Sequence, residues 1–382
     1  METLTWPQVL AWRMQRQQLT RRAPRAEALA VVRAIAGLHA QLASSAELTL
    51  WARVDGLEAG AVDAAVWEAR TLVKTWAMRG TLHLLAADEL GLWVGAQGAL
   101  KPRHHVGSWL RHHGLTREQA DAMLAAIPAA LDGQMLTREA LADEVARLTG
   151  IAGMDGKLRG GFGDLLKPAA FAGDLCFAPS EGRNVRFTRP ADWLPAFEPH
   201  DAVAAQIAVG RRYLSAYGPA TRETFARWFG ITSPAQAGRW LASVEPVEVS
   251  VAGVTMLALA DDLASLRAAE PTGAVRLLPA FDHYVVAAPR DMLSEEKRGL
   301  VYRPQGWLSP VLVGRRSHRG RVVARGGGGR DHPVRPRAPR GSLWCGGRSG
   351  AARGVPGLRS GRAVARSNCG WVGRRGRRPG GE

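Results

Sequence analysis

One pattern limits this chain more than any other: segments of helical periodicity that end in a short alternating hairpin, three times over. Apolar residues recur at helical spacing in 6–19, 25–40, 44–54 and 59–70. The period then changes in "TLVKTWAMRGTLHLLAADEL". Val73, Thr75 and Ala77 alternate with Lys74, Trp76 and Met78, Arg79-Gly80 supplies a turn, and Thr81 and His83 alternate with Leu82 and Leu84. The second unit is the helix "LTREALADEVARLTG" (136–150), with Thr137 placed as N-cap, followed by "DLCFAP" and "NVRFTRP". The third begins with the same Thr-Arg-Glu start in "ATRETFARWFGITSPAQAGRWLASV" (220–244) and runs into "VEPVEVSVAGVTMLALA".

A helical segment closed by a two-stranded wing, repeated in tandem, is the outline of a winged-helix array. The expected class is therefore mainly α with small β-hairpins (α+β), with three tandem winged-helix modules at 1–100, 101–195 and 196–270. In "YLSAYGPATRETFARWFG" the Gly-Pro breaks one helix from the next, as a helix-turn-helix requires. "VRLLPAFDHYVVA" and "WLSPVLV" read as strands of a further β element at 271–313, cut short by a stretch rich in Arg and Gly. Such folds fit the grooves of duplex DNA, but the fold alone does not make an enzyme.

The charge is unevenly placed. Residues 311–382 hold 18 Arg, no Lys and two acids, Asp331 and Glu382, and so carry +16 of the formal +17. The preceding 310 residues, with 33 basic and 32 acidic side chains, carry +1. The same tail holds 18 of the 44 Gly and no Ile, Phe, Tyr, Met, Thr or Gln, so it has little with which to bury a core. A disordered Arg/Gly-rich tail is expected over 314–382. Its composition matches a GC-rich gene read out of frame after about Val313, the alternative being an RNA-binding tail of RGG type. The tail carries no argument about function.

Three cysteines (Cys176, Cys345, Cys369) without CxxC spacing exclude a disulfide framework and a thiolate metal site. No apolar run is long enough to span a bilayer, and the N-terminus lacks the build of a signal peptide. A cytoplasmic monomer with no membrane partner is expected.

In "AIAGLHAQLASSAEL" (34–48), His39 and Gln41 interrupt an apolar helical pattern. On a continuing helix they would diverge by roughly 200°. They share a site only if the backbone leaves the helix between Leu38 and Ala43, with Ser44 or Ser45 capping the next helix. Otherwise both cap a helix C-terminus, His39 near the negative end of the dipole. Arg79, Thr81 and His83 on the first wing are either phosphate or lesion contacts or an ordinary polar strand face. "PRHHVGSWLRHHG" (102–114) gathers four His, but no acid or Cys lies close in sequence. No metal or other cofactor is expected there, and a basic face using Arg103 and Arg111 is the reading preferred. Asp282 in "AFDHY" is expected to close a turn, with a site role as the alternative.

"GLHAQ", "WAMRGTLHLL", "YLSAYGPATRETFARWFG", "LLPAFDHYVV" and "GWLSPVLV" occur in an order and spacing that resembles the tandem winged-helix DNA glycosylase family of the azinomycin-resistance type, over about residues 6–313. That resemblance implies a monofunctional hydrolase that excises N7-alkylated, cationic purines from double-stranded DNA, some members also unhooking crosslinks. The family's catalytic signature is Gln-x-Gln, or Gln-x-Asp in another branch. Here it falls on His39-Ala40-Gln41, matching at Gln41 and departing at His39. The resemblance implies catalytic roles for Gln41 and His39. The departure keeps open a non-catalytic winged-helix DNA-binding protein.

Overall fold

The computed structural model describes residues 1–100 and 102–314, apart from the side chains of Arg103, Phe162 and Asp291. The chain opens with β1 (Glu2–Leu4) and the helix Trp6–Arg16, whose start is fixed by a capping box between Thr5 and Gln8. A helix at Ala28–Ala34 leads to β2 (Leu38–His39), then to helices Ala43–Trp51 and Ala61–Trp67. The first hairpin is β3 (Leu72–Trp76) and β4 (Leu82–Ala86), turning at Met78–Gly80. After β5 (Leu136–Thr137) comes the helix Arg138–Thr149, capped by the Thr137 hydroxyl on the Ala140 amide, as its sequence suggests. The second hairpin is β6 (Cys176–Glu181) and β7 (Asn184–Thr188). Helices Ala202–Tyr217, Arg222–Phe229 and Pro234–Ala242 precede the third, β8 (Val247–Val251) and β9 (Val254–Ala258). Strands β10 (Arg276–Leu278) and β11 (Val311–Val313) pair antiparallel at the end of the described chain.

The fold is thus mainly α with small sheets. Each hairpin carries a third, short strand that the periodicity does not announce. The orders are β2-β4-β3, β5-β7-β6 and β1-β8-β9. The pairing of β1 with β8 is parallel and ties the first residues of the chain to the third hairpin. Between β10 and β11 the segment expected to be a strand is instead a short helix, His283–Val286. The carboxylate of Asp282 accepts the Tyr284 amide at 2.9 Å and caps it.

The helix expected over 25–40 is also corrected. A 3-10 turn at Arg25–Glu27 and the helix Ala28–Ala34 end at Ala36 and Gly37, both in the left-handed region. A Cβ on Gly37 would stand 2.7 Å from a Leu85 methyl and 3.0 Å from the Leu84 carbonyl, so only glycine lets the chain come this close to β4. The chain then pairs with β4, and Leu38 and His39 are strand residues.

The largest core runs under the first hairpin and the helices of the third unit. Val73, Met78 and Leu85 pack with Trp93, Tyr213, Phe225 and Trp228. A second core lies beneath β6 and β7, where Trp76 of β3 meets Phe177 and Phe187 at ring distances of 4.8 and 5.9 Å. The Arg/Gly-rich tail and the frame question attached to it lie outside the described residues.

Candidate active site

The register of β2 on β4 places His39 directly opposite His83. Both side chains turn inward, 4 % and 0 % exposed, and His283 joins them from the short helix after Asp282. The ring centroids are 5.2 Å apart for His39 and His83, 5.4 Å for His83 and His283, and 6.3 Å for His39 and His283. Phe281 stacks flat on His39, with centroids 4.9 Å apart and planes 5° from parallel. Two residues past His39, the chain has surfaced, and Gln41 is exposed.

The pair thus shares one locality, but not by the route the sequence suggested. The helix ends before Leu38, and the chain leaves β2 after His39 so that Gln41 follows it at the surface. The backbone amide of Gln41 points at His39 Nδ1, a long contact of 3.5 Å. Helix capping by these two residues is ruled out by their place on and beside β2. The next helix begins at Ala43 with Leu42 at its N-cap position, and Ser45 is buried within it, so neither serine caps it.

Burial decides the charge of the cluster. Desolvation, and after it the nearby Arg79, lowers the His39 pKa to about 3. Desolvation drives His83 and His283 well below the ordinary imidazole range too, and neighbouring rings and Arg79 push the same way. His83 Nδ1 lies 2.8 Å from the Thr81 carbonyl, which can only accept, so this nitrogen carries the proton and Nε2 is a bare acceptor. All three rings are neutral at pH 7.

The wing residues have distinct places. Arg79 sits at the hairpin tip with φ of 61° and donates to the Trp228 carbonyl. Its Nη2 is buried without a hydrogen-bond partner. Burial lowers its pKa to about 10, so it remains charged at neutral pH. Gly230 allows this docking, because a Cβ there would stand 2.9 Å from Arg79 Cα. The Thr81 hydroxyl reaches back to the Met78 carbonyl inside the turn. His83 is fully buried and offers no surface of its own. The strand is therefore not a uniformly polar face. Arg111 is exposed on the helix Gly107–His113, and Arg103 starts the turn before it, its side chain lying outside the described residues.

The sequence left out Arg53 and understated Asp282. Both are fully buried and form a two-pronged ion pair, Nη1–Oδ2 and Nη2–Oδ1 each at 2.8 Å. Arg53 also donates to the Thr49 carbonyl at 2.8 Å. This pair pins the helix behind Gln41 to the segment that presents Phe281 and His283. Two charges of opposite sign 229 positions apart give no local signal.

The four-histidine stretch also departs from expectation. Asp121, from the helix Arg117–Ala130, brings Oδ1 to 3.5 Å from His105 Nε2 and 3.9 Å from His104 Nε2. An acid is thus close in space where none was close in sequence. Arg117 stands 3.6 Å from the other Asp121 oxygen and competes for it. A cleft of about 320 Å³ opens beside Arg79, His104 and Gln236, but neither His39 nor Gln41 lines it.

With this geometry in hand, comparison with known proteins is direct. An interstrand DNA cross-link repair glycosylase of Streptomyces sahachiroi is 38% identical over 327 residues, spanning 81% of this chain and 85% of its own. The solved structure of the Streptomyces sahachiroi DNA glycosylase AlkZ superposes with a TM-score of 0.76 at 37% identity, over 85% of this chain and 87% of that one. No helix among the described residues is long and apolar enough to cross a membrane. The model of the AlkZ-like DNA glycosylases matches residues 32–331, and the chain belongs to that family.

Proposed function

We propose that this glycosylase hydrolyses the N-glycosidic bond of N7-alkylated, positively charged purines in double-stranded DNA, and that a crosslink joined through such a purine is within its reach. The observation that carries the reading is exposed Gln41, whose backbone amide points at His39 of a buried, uncharged histidine cluster. Alkylation at N7 already makes the base a good leaving group, so no strong acid is needed. As the bond from C1′ to N9 breaks, the base leaves neutral and the sugar takes on oxocarbenium character. The Gln41 carbonyl oxygen accepts a hydrogen bond from the attacking water and lies near the developing positive charge. Water adds to C1′, and its proton passes to solvent.

His39 is a positioning residue in this scheme. A ring with a pKa of about 3 is a weak base at neutral pH, and its worth lies in hydrogen bonding and in holding the Gln41 backbone. Arg79, a persistent cation that lines the neighbouring cleft, suits a phosphate better than a cationic base. Exposed Arg111 supports backbone contacts that set affinity, and Arg103 is assigned to the same role on its sequence alone. We further propose three helix-and-wing modules built on the three hairpins, acting as a cytoplasmic monomer. The first module begins after Arg16, since β1 joins the third sheet.

The test is incubation of the full chain with a duplex bearing one N7-methylguanine, then alkali to cut abasic sites. Strand cleavage at the lesion is the expected result. Binding without cleavage would instead support a DNA-binding protein that has lost the chemistry.

A further inference from the structure

One ring contact beyond Phe281 stands an aromatic side chain for which the fold has no evident use. Trp307 is 42% exposed, although it belongs to a tight, well-bonded turn. The turn runs from Pro304 to Gly306, with Gln305 at φ 61° and Gly306 at φ 77°. Its ends are joined by the Arg303 amide on the Trp307 carbonyl at 2.8 Å and by the bridge of Tyr302 with Leu308. Inward, Trp307 meets Phe281 at a centroid distance of 5.1 Å and 72° between planes. Phe281 in turn lies flat on His39, so three rings lead from the cluster to the surface.

Two further features fix this series in place. Leu42, the neighbour of Gln41, packs in the same small apolar cluster as Phe281 and Leu308. Gln41 and Trp307 are thus each the chain neighbour of a member of that cluster, Leu42 and Leu308. Phe281 also holds a left-handed backbone, φ 61°, an unfavourable state for a non-glycine residue. The next residue, Asp282, is locked in the buried ion pair, so the surroundings hold Phe281 in the conformation that stacks it on His39.

We propose that Trp307 is the aromatic face against which the cationic purine rests, and that this contact gives the enzyme preference for charged over neutral bases. The inference rests on the reading given under Proposed function. An indole is the best neutral partner for a delocalised cation, and no carboxylate is needed to hold the charge. A carboxylate would bind the base tightly in the ground state, whereas a ring lets it go once departure neutralises it.

The test compares wild type with Trp307→Leu and Trp307→Phe. One probe duplex carries a single 7-methyl-2′-fluoroarabinoguanosine, cationic at the base and resistant to hydrolysis, and the other carries guanine. Wild type and Trp307→Phe should prefer the cationic duplex, and Trp307→Leu should lose that preference by about threefold to thirtyfold. Affinity for the guanine duplex should stay within twofold throughout. Thermal melting checks that each variant is folded, which the exposure of Trp307 favours. An intact preference in Trp307→Leu overturns the proposal, and so does equal loss on both duplexes, which marks a wedge between bases. Failure of the parent reading looks different, since wild type then excises no N7-methylguanine.

Discussion

Lowering the pH from 7 to 5 should destabilise this protein through its three buried histidines. In the unfolded chain each imidazole titrates near pH 6.5. In the fold His39 is held down to about 3, and His83 and His283 are pushed the same way by desolvation. The unfolded state therefore binds more protons below pH 6.5. Stability is full above that value and is lost progressively as the pH falls toward the folded pKa. Between pH 7 and pH 5 the loss is about 2 kcal/mol for each group that stays neutral in the fold, or roughly 6 kcal/mol for the three. That is comparable with the whole stability of many domains. Asp174 and Asp262, raised by desolvation, act in the opposite sense, so the cluster must be isolated by substitution. His83→Gln keeps a donor for the Thr81 carbonyl and removes one titrating ring. Urea unfolding followed by tryptophan fluorescence at both pH values should show the variant losing about 2 kcal/mol less than wild type. Equal pH dependence in the two proteins, or a His83 resonance titrating near pH 6.5, would refute the reasoning.

Because His39 is neutral across the physiological range, excision by wild type should be flat in rate from pH 5.5 to 8. His39→Gln should keep activity within about tenfold. A limb near pH 6.5 that disappears in the variant would instead make His39 a titrating base. Asp282→Asn leaves Arg53 buried without its partner and should cost about 3–5 kcal/mol in urea unfolding, and a loss below about 1 kcal/mol would contradict the assignment. Gly230→Ala forces a Cβ to within 2.9 Å of Arg79 Cα at a φ of +96°. It should lower the melting temperature and slow excision together, and a variant that melts and cleaves like wild type would show that the hairpin tip is not held there.

How much of the molecule was legible in the sequence depends on the range of each interaction. The hairpins, the Thr137 cap and the break between Tyr217 and Thr221 are local, and local periodicity and turn residues specify them. β2 was not legible, because two residues pair with a strand more than forty positions away and carry no alternation of their own. Gly37 gave a usable hint: a glycine after an apolar helical run is a common helix end. Three groups were assembled only by the fold: the three-histidine cluster, the Arg53–Asp282 pair and the approach of Asp121 to His104 and His105. Their members are far apart in the chain, and His83 reads as a polar strand residue until the register on β2 is known. Gln41 was singled out in the sequence and matched by the family motif, whereas Trp307 stood in another motif of that resemblance with no role attached to it.

The most direct test of the central claim is single-turnover excision of N7-methylguanine from a duplex by wild type and Gln41→Ala. Duplex affinity is measured on the same preparations. The account predicts that Gln41→Ala cleaves about 10²-fold or more slowly, as expected for loss of a positioned polar group, while binding is nearly unchanged because phosphate contacts dominate it. Excision by Gln41→Ala at the wild-type rate would contradict the account and remove Gln41 from the chemistry.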